Sequence, residues 1–375
     1  MARIGFDGRF VNDQYHGIGR MAYDLIDQMS QQHPEVAFVV LYDPSLKNTR
    51  FDMQKVLARP NVEPVVTDIK FFSMKEQFLL PGIMGFKKID VWYSPFFLFP
   101  VGIPCKAVIT VCDLIFDRMP FYLPSKREFW VYKLFMGLGT WRAKKIVVIS
   151  EATAVDLQKF YKVPKNKIKV MYLGGDPHYK PVKDTQRQAE VRQKYNLPER
   201  FILTVGTRRP HKNVTRLVEA FAQVAAEEDI NLVLTGPFDK RFKDEPMAKA
   251  AELNVLDRIV TPGYVAEEDL PAIYSMAEVF VFPSLVEGFG LTLLEAMACG
   301  VPVVTSNISS MPEVVGAAAI KIDPYNVSEM ANAILLLLQN PTERERYCQL
   351  GLAREANFTW EASAKRAWEI IQEAL

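Results

Sequence analysis

Glu287 and Glu295 are two carboxylates with seven residues between them, set on either side of the glycines in FPSLVEGFGLTLLEAMACG, residues 282–300. The apolar run 279–282 predicts a strand. Glu287, Gly288 and Gly290 predict a loop, and residues 291–299 a helix that Gly300 and Pro302 stop. A helix opening on a glycine loop aims unpaired N–H groups and its positive dipole end into that loop, which makes an anion site. The N–H groups of Phe289, Gly290 and Leu291 are its candidate donors. Two acids beside a bare phosphate would oppose binding. Beside a phosphate attached to a polyhydroxylated sugar they help, because each carboxylate accepts hydroxyl hydrogen bonds. The plain alternatives are a solvated loop acid at Glu287 and a helix-surface acid favoured by the dipole at Glu295.

Three further groups bear on this chemistry. Lys212 lies in GTRRPHKN, 206–213, between a predicted strand and a predicted helix. A cation at a helix N-terminus does little for stability, but is well placed if a diphosphate sits between them. Arg208 or Arg209 can supply a second cation, and His211 reads as a solvated loop residue. Gly17-x-Gly19-x-x-Ala22 matches a dinucleotide fingerprint, with Asp43 ending the next strand. That keeps open an NAD-dependent sugar dehydrogenase or epimerase. The fingerprint needs its glycines directly after the strand, whereas here 8–16 intervene. Asp113 ends a strand, where α/β folds bind ligands; the competing reading is a helix cap. Ser150 reads as the cap of a helix from Glu151.

Strands alternate with helical patterns along all 375 residues, which predicts parallel sheets covered by helices. Expected strands are 3–7, 37–42, 91–93, 107–111, 145–149 and 169–172, then 201–205, 231–235, 258–260 and 279–282. Expected helices are 19–30, 126–142 and 151–161, then 215–227, 245–253 and 267–276, with an amphipathic helix over 359–375. The polar run from Gly174 to Arg200 reads as a linker. The expected domains are therefore 1–178 and 179–358, with 359–375 as a terminal helix. A formal net charge of +1 gives no global field for nucleic acid. The four cysteines have no CxxC spacing and suit a reducing compartment. The N-terminus runs straight into a strand, and no apolar stretch approaches the roughly 18 residues of a membrane span. A cytoplasmic protein is expected, with the inner face of the membrane open as a location. Aromatic and basic residues recur in the first half: Phe71-Phe72, Phe96-Phe97, Phe129-Trp130-Val131-Tyr132-Lys133, Trp141-Arg142 and Lys144-Lys145. They could line an acceptor groove or rest on an anionic membrane, but core packing is the reading favoured by their spacing.

The stretch EGFGLTLLEAMACGVPVV closely resembles the signature of the retaining glycosyltransferases of family 4. His16-Gly-Ile-Gly-Arg20 resembles that family's glycine loop, and Thr204-Val-Gly-Thr207 with Pro210-His-Lys-Asn213 its diphosphate loop. Ser306-Asn-Ile-Ser-Ser-Met-Pro-Glu-Val-Val-Gly-Ala-Ala318 resembles the segment after the signature. The resemblance implies a GT-B fold, two Rossmann-like domains facing across a cleft, with the C-terminal helix crossing back to the first. It implies transfer of a hexose from a nucleoside diphosphate sugar to a hydroxyl of a saccharide or lipid-linked saccharide, with retention, in cell-surface polysaccharide or glycolipid synthesis. A UDP-hexose such as UDP-glucose is favoured over GDP-mannose. Glu287 would meet the sugar near the reacting carbon, with Asp113 the first-domain polar group at that centre. Glu295 would take the ribose. Gly17, Gly19, Gly206, Thr207, Arg208, Lys212, Phe289, Gly290, Leu291 and Thr292 would surround phosphate and sugar, and Tyr264 the base. Core packing competes for Tyr264. The chain departs from the family at Cys112, where many relatives have His, and at Thr292, where many have Pro. The Cys112 departure leaves a catalytically inactive sugar-nucleotide binder as a third reading. No Asp-x-Asp is present to hold a divalent cation, so neither metal nor cofactor is expected.

Overall fold

The structure is a computed structural model that describes residues 2–71 and 73–375, and of His16 the backbone alone. Phe72 lies outside the described residues. The chain forms two compact units, Met1–Gly174 with Thr359–Leu375, and Gly175–Phe358.

The first unit is built on a parallel sheet of seven strands: β1 (Arg3–Asp7), β2 (Ala37–Tyr42), β3 (Val62–Val66), β4 (Val91–Ser94), β5 (Lys106–Val111), β6 (Lys145–Val148) and β7 (Ile168–Val170). Its order is β3-β2-β1-β4-β5-β6-β7. The helices between them are α1 (His16–Gln32), α2 (Met53–Leu57), α3 (Met74–Phe86), α4 (Ile115–Arg118), α5 (Lys126–Arg142) and α6 (Glu151–Tyr161). The inner strands are apolar runs because helices cover both faces; β4 and most of β5 are wholly buried. Serine caps open three helices, as Ser150 does for α6 by accepting the Thr153 N–H at 3.1 Å. A buried ion cluster pins the loop after β1 to the start of α3. Arg9 binds Asp7 and Glu76 at 2.7 Å each and donates to the Ile69 carbonyl.

The second unit starts with α7 (Thr185–Tyr195), then runs through β8 (Phe201–Val205), α8 (Val214–Glu227), β9 (Asn231–Thr235), α9 (Glu245–Glu252), β10 (Ile259–Gly263), α10 (Leu270–Met276) and β11 (Val279–Phe282). It continues through α11 (Leu291–Ala298), β12 (Val303–Ser306), α12 (Met311–Val315), β13 (Ile320–Ile322), α13 (Val327–Gln339) and α14 (Pro341–Glu355). The parallel sheet has the order β10-β9-β8-β11-β12-β13. Here the polar run read as a linker is corrected: residues 185–195 are helical. Asp184 caps α7, and the buried Asp269 binds Arg187, Lys194 and the Tyr195 hydroxyl. Few apolar residues announce this helix because only Val191 of it is buried.

The last helix, α15 (Trp360–Gln372), packs on the first unit. Trp368 stacks on His33 with ring centroids 4.4 Å apart, Ser363 donates to the Tyr172 carbonyl at 2.7 Å, and Glu373 pairs with Lys145 and Lys169. Among the described residues no helix is long and apolar enough to cross a membrane.

Candidate functional site

In an open parallel sheet the crevice for ligands lies beyond the carboxyl ends of the strands, where the strand order reverses. In the second unit that point falls between β8 and β11, whose trailing loops carry Lys212 and Glu287. The two side chains meet there, Lys212 Nζ to Glu287 Oε1 at 2.7 Å. Burial pushes the Glu287 carboxyl up, but the charges of Lys212 and His211 outweigh it and hold the group below its usual range. Lys212 also stands over the Phe282 ring at 4.7 Å. Two glycines shape the walls. Gly206 has φ +139° and Gly290 φ +101°, which only glycine adopts without strain. Gly206, Arg208, Lys212, Thr204, Phe282 and Ser284 line a tight recess of about 10 Å³.

Arg208, rather than Arg209, is therefore the second cation brought beside Lys212. Its Nη2 reaches Asp244 at 3.4 Å, and its buried Nε has no hydrogen-bond partner among the described residues. Arg209 is engaged by Asp239 at 2.9 Å. Thr207 is half-buried. His211 departs from the sequence expectation: it is buried, its carbonyl accepts the Leu285 N–H at 2.7 Å, and burial with the charges of Lys212 and Arg209 pushes its imidazole down to about 4, against the pull of Glu287.

The acidic loop is held from behind by residues that sequence reasoning did not assign. Ser310 donates to the carbonyls of Glu287 and Phe289 at 3.1 and 2.9 Å, and Ser309 Oγ accepts the Glu287 N–H at 3.1 Å. Asn213, at φ +58°, donates to the carbonyls of Pro283 and Pro324 and so ties the Lys212 loop to the loops after β11 and β13. The segment 306–318 was legible as a unit, but its serines are ordinary in sequence. Phe289 anchors the loop by burying its ring against Phe358.

Gly290 opens α11, so Leu291 and Thr292 stand in the first turn, where N–H groups lack intrahelical partners. The Thr292 hydroxyl is buried without a hydrogen-bond partner among the described residues. Glu295, half-buried one turn on, accepts from the Tyr274 hydroxyl at 2.9 Å. Tyr274 is another unassigned contributor. Burial and then the Glu295 charge push its phenol well above the usual range, so it stays a donor. Tyr264 follows Gly263 at the end of β10 and is 77% exposed, which rules out the core-packing reading.

In the first unit, Gly17 and Gly19 lie in the first turn of α1. Gly17 has open space around it, whereas a Cβ at Gly19 would come within 2.8 Å of the Phe10 carbonyl. Gly19 thus has a packing reason of its own. Asp113 is exposed and accepts the Ile115 N–H at 3.1 Å, two residues on, but the cap position of α4 is Leu114 and not Asp113. Burial pushes the neighbouring Cys112 thiol far up, so it is neutral.

Comparison with known proteins follows the same division. Residues 15–179 match the model described as "Glycosyltransferase Family 4", and residues 186–354 the one described as "Glycosyl transferases group 1". The chain is 34% identical to O-antigen chain mannosyltransferase B of Escherichia coli over 72% of itself and 71% of that protein. It is 31% identical to the serotype-specific mannosyltransferase WbdA of the same species, over 72% of itself but only 33% of that longer protein. Among solved structures, HepE of Anabaena in complex with UDP and glucose aligns over the whole of both chains with a TM-score of 0.74 at 18% identity. Sucrose-phosphate synthase from Thermosynechococcus elongatus gives 0.73 at 19%, over 100% of this chain and 99% of its own. These two likenesses show the fold, which is GT-B.

Proposed function

The chain belongs to the family 4, or group 1, glycosyltransferases, and from that premise we propose that it transfers a hexose, with retention, from a nucleoside diphosphate sugar to a hydroxyl of a saccharide or lipid-linked saccharide acceptor. The relatives at 31–34% identity are mannosyltransferases named for O-antigen chains or serotype. They move the reading of the donor from UDP-glucose toward a mannosyl nucleotide, and of the pathway toward surface polysaccharide synthesis.

The observation that carries the proposal is the meeting of Lys212 and Glu287 between the ends of β8 and β11. In this reading a diphosphate lies between the Gly206 loop and the start of α11 and takes the charge of Lys212 and Arg208. Glu287 then accepts hydroxyl hydrogen bonds from the sugar, Glu295 from the ribose, and Tyr264 lies against the base. As the bond to the sugar breaks, negative charge grows on the leaving phosphate. Lys212 and the α11 N-terminus stabilise it there without a metal. The departing oxygen accepts the acceptor proton on the same face, which preserves configuration. Asp113 is assigned to the acceptor side. Peripheral contact with a membrane belongs to this reading when the acceptor is lipid-linked.

A thermal-shift panel tests it with GDP, GDP-mannose, UDP, UDP-glucose and NAD, followed by transfer assays with the best donor. A nucleoside diphosphate is expected to raise the melting temperature, NAD to leave it unchanged, and the donor to be consumed in EDTA. Stabilisation by NAD alone would favour the dehydrogenase reading. Donor binding without turnover would favour an inactive binder.

A further inference from the structure

Two helices of the first unit present apolar faces that no described residue of that unit covers. α3 exposes Met74, Phe78, Leu79 and Phe86, the last at 83%. α5 exposes Trp130, Val131, Leu134 and Trp141, the tryptophans at 67% and 72%. On α5, Trp130, Leu134 and Trp141 follow helical spacing and form one stripe, while Met136, Gly139 and Thr140 on the other side are buried. On α3 the buried side is Glu76, Leu80 and Met84. These are therefore outward faces of well-anchored helices, and the sequence-based preference for core packing fails for both tryptophans.

The two helices cover the same core. Both pack on one core cluster, through Leu80 and Met84 from α3 and Met136 from α5. The chain before β5 runs between them and bonds to both. The Val101 N–H donates to Gln77 Oε1 at 3.2 Å, and Arg142 Nη2 donates to the carbonyls of Ile103 and Cys105 at 2.9 and 3.0 Å. Their exposed residues thus share one side of the unit. Its free charge is mainly basic. Residues 126–145 carry six basic side chains against one acid, Glu128; Lys133 and Lys145 are paired with Asp117 and Glu373, and Lys126, Arg127 and Lys144 are exposed. Lys126 and Arg127 flank the start of the tryptophan stripe, Lys144 follows its end, and Lys75 and Lys88 are exposed on or just after α3.

Charge decides the occupant. A second copy of the chain using this face would set like charges against each other. An anionic bilayer offers acyl chains for the apolar stripe, headgroup depth for tryptophan, and negative charge for lysine and arginine. We propose that the outer face of α3 and α5 rests on an anionic phospholipid surface, with Trp130 and Trp141 at headgroup level. The inference deepens the lipid-linked-acceptor reading above, and is tested apart from it.

The full chain is sedimented with vesicles of phosphatidylcholine, and of phosphatidylcholine containing about one third phosphatidylglycerol. Binding is expected to the anionic vesicles, weakened as salt rises toward about 0.5 M. Trp130→Ser with Trp141→Ser is expected to weaken it about tenfold or more, as is Lys126→Glu with Arg127→Glu, a pair of exposed residues whose exchange does not touch the core. Melting temperature and hydrolysis of the donor nucleotide sugar should be unchanged in both, because the proposed donor groups of the second unit are untouched. Failure of the wild type to bind anionic vesicles would overturn the proposal. So would equal binding by either folded variant, or a dimer that shields Trp130 from an aqueous quencher. Vesicle binding without glycosyl transfer would leave this proposal standing and remove the lipid-linked-acceptor reading. Transfer without vesicle binding would do the reverse.

Discussion

At the scale of single residues, environment sets the state of the groups at the candidate site. Glu295 is held by the hydroxyl of buried Tyr274 and is kept ready as an acceptor. If it takes the ribose, Glu295→Ala removes a charged acceptor from two hydroxyls. Donor affinity measured by calorimetry is expected to fall by about 1.5–3 kcal/mol. An unchanged affinity would remove Glu295 from that role. His211 gives a pH prediction. Burial, with Lys212 and Arg209, lowers its folded value to about 4 from the usual 6.5, so the unfolded chain binds the proton more readily. Its contribution is complete above about pH 6.5 and is lost as pH falls toward 4. Between pH 7 and 5 the wild type is expected to lose about 2 kcal/mol more than His211→Gln in urea unfolding. Parallel loss in both proteins would show that this imidazole does not set the acid sensitivity.

At the scale of elements, what could be read from sequence followed burial. β1, β2, β8, β9 and β11 have the bounds their apolar runs predict, and α5 and α6 those set by Ser125 and Ser150. β3 escaped because it is an edge strand with alternate residues exposed and Pro64 inside it. α7 escaped because its stability comes from a cap and from Asp269, far away in sequence. The candidate site was half legible for a similar reason. The Glu287 loop and the Lys212 loop each carried a local signal, but their meeting depends on β8 lying beside β11, which spacing along the chain does not encode. Tyr274 had no signal of its own, and Ser309 and Ser310 only that of the segment 306–318 they lie in; the fold makes these ordinary residues important. The terminal helix makes an element-scale prediction. Removing 359–375 takes away the buried Trp360, Trp368, Ile370 and Ile371. At about 1.5–3 kcal/mol each, that loss rivals the stability of a domain. The first unit is expected to unfold at a far lower temperature in calorimetry. A transition unchanged from the full chain would show the helix to be an appendage.

At the scale of the whole molecule, the two units carry different parts of the account. The second gathers cations, glycine loops and carboxylates at one switch point, and the first presents an apolar, basic face. A transferase that balances the diphosphate with Lys212, Arg208 and a helix N-terminus is expected to keep its rate in EDTA. Loss of activity restored by Mg²⁺ or Mn²⁺ would contradict that. The central claim is that the Lys212 loop receives the diphosphate of the donor. The direct measurement is kcat/KM for the best donor, with binding of its diphosphate and its bare nucleoside, for wild type and Lys212→Ala at matched melting temperature. A fall in kcat/KM of about a hundredfold is expected, with diphosphate affinity lost and nucleoside affinity kept. Wild-type kcat/KM in a well-folded Lys212→Ala protein would contradict it.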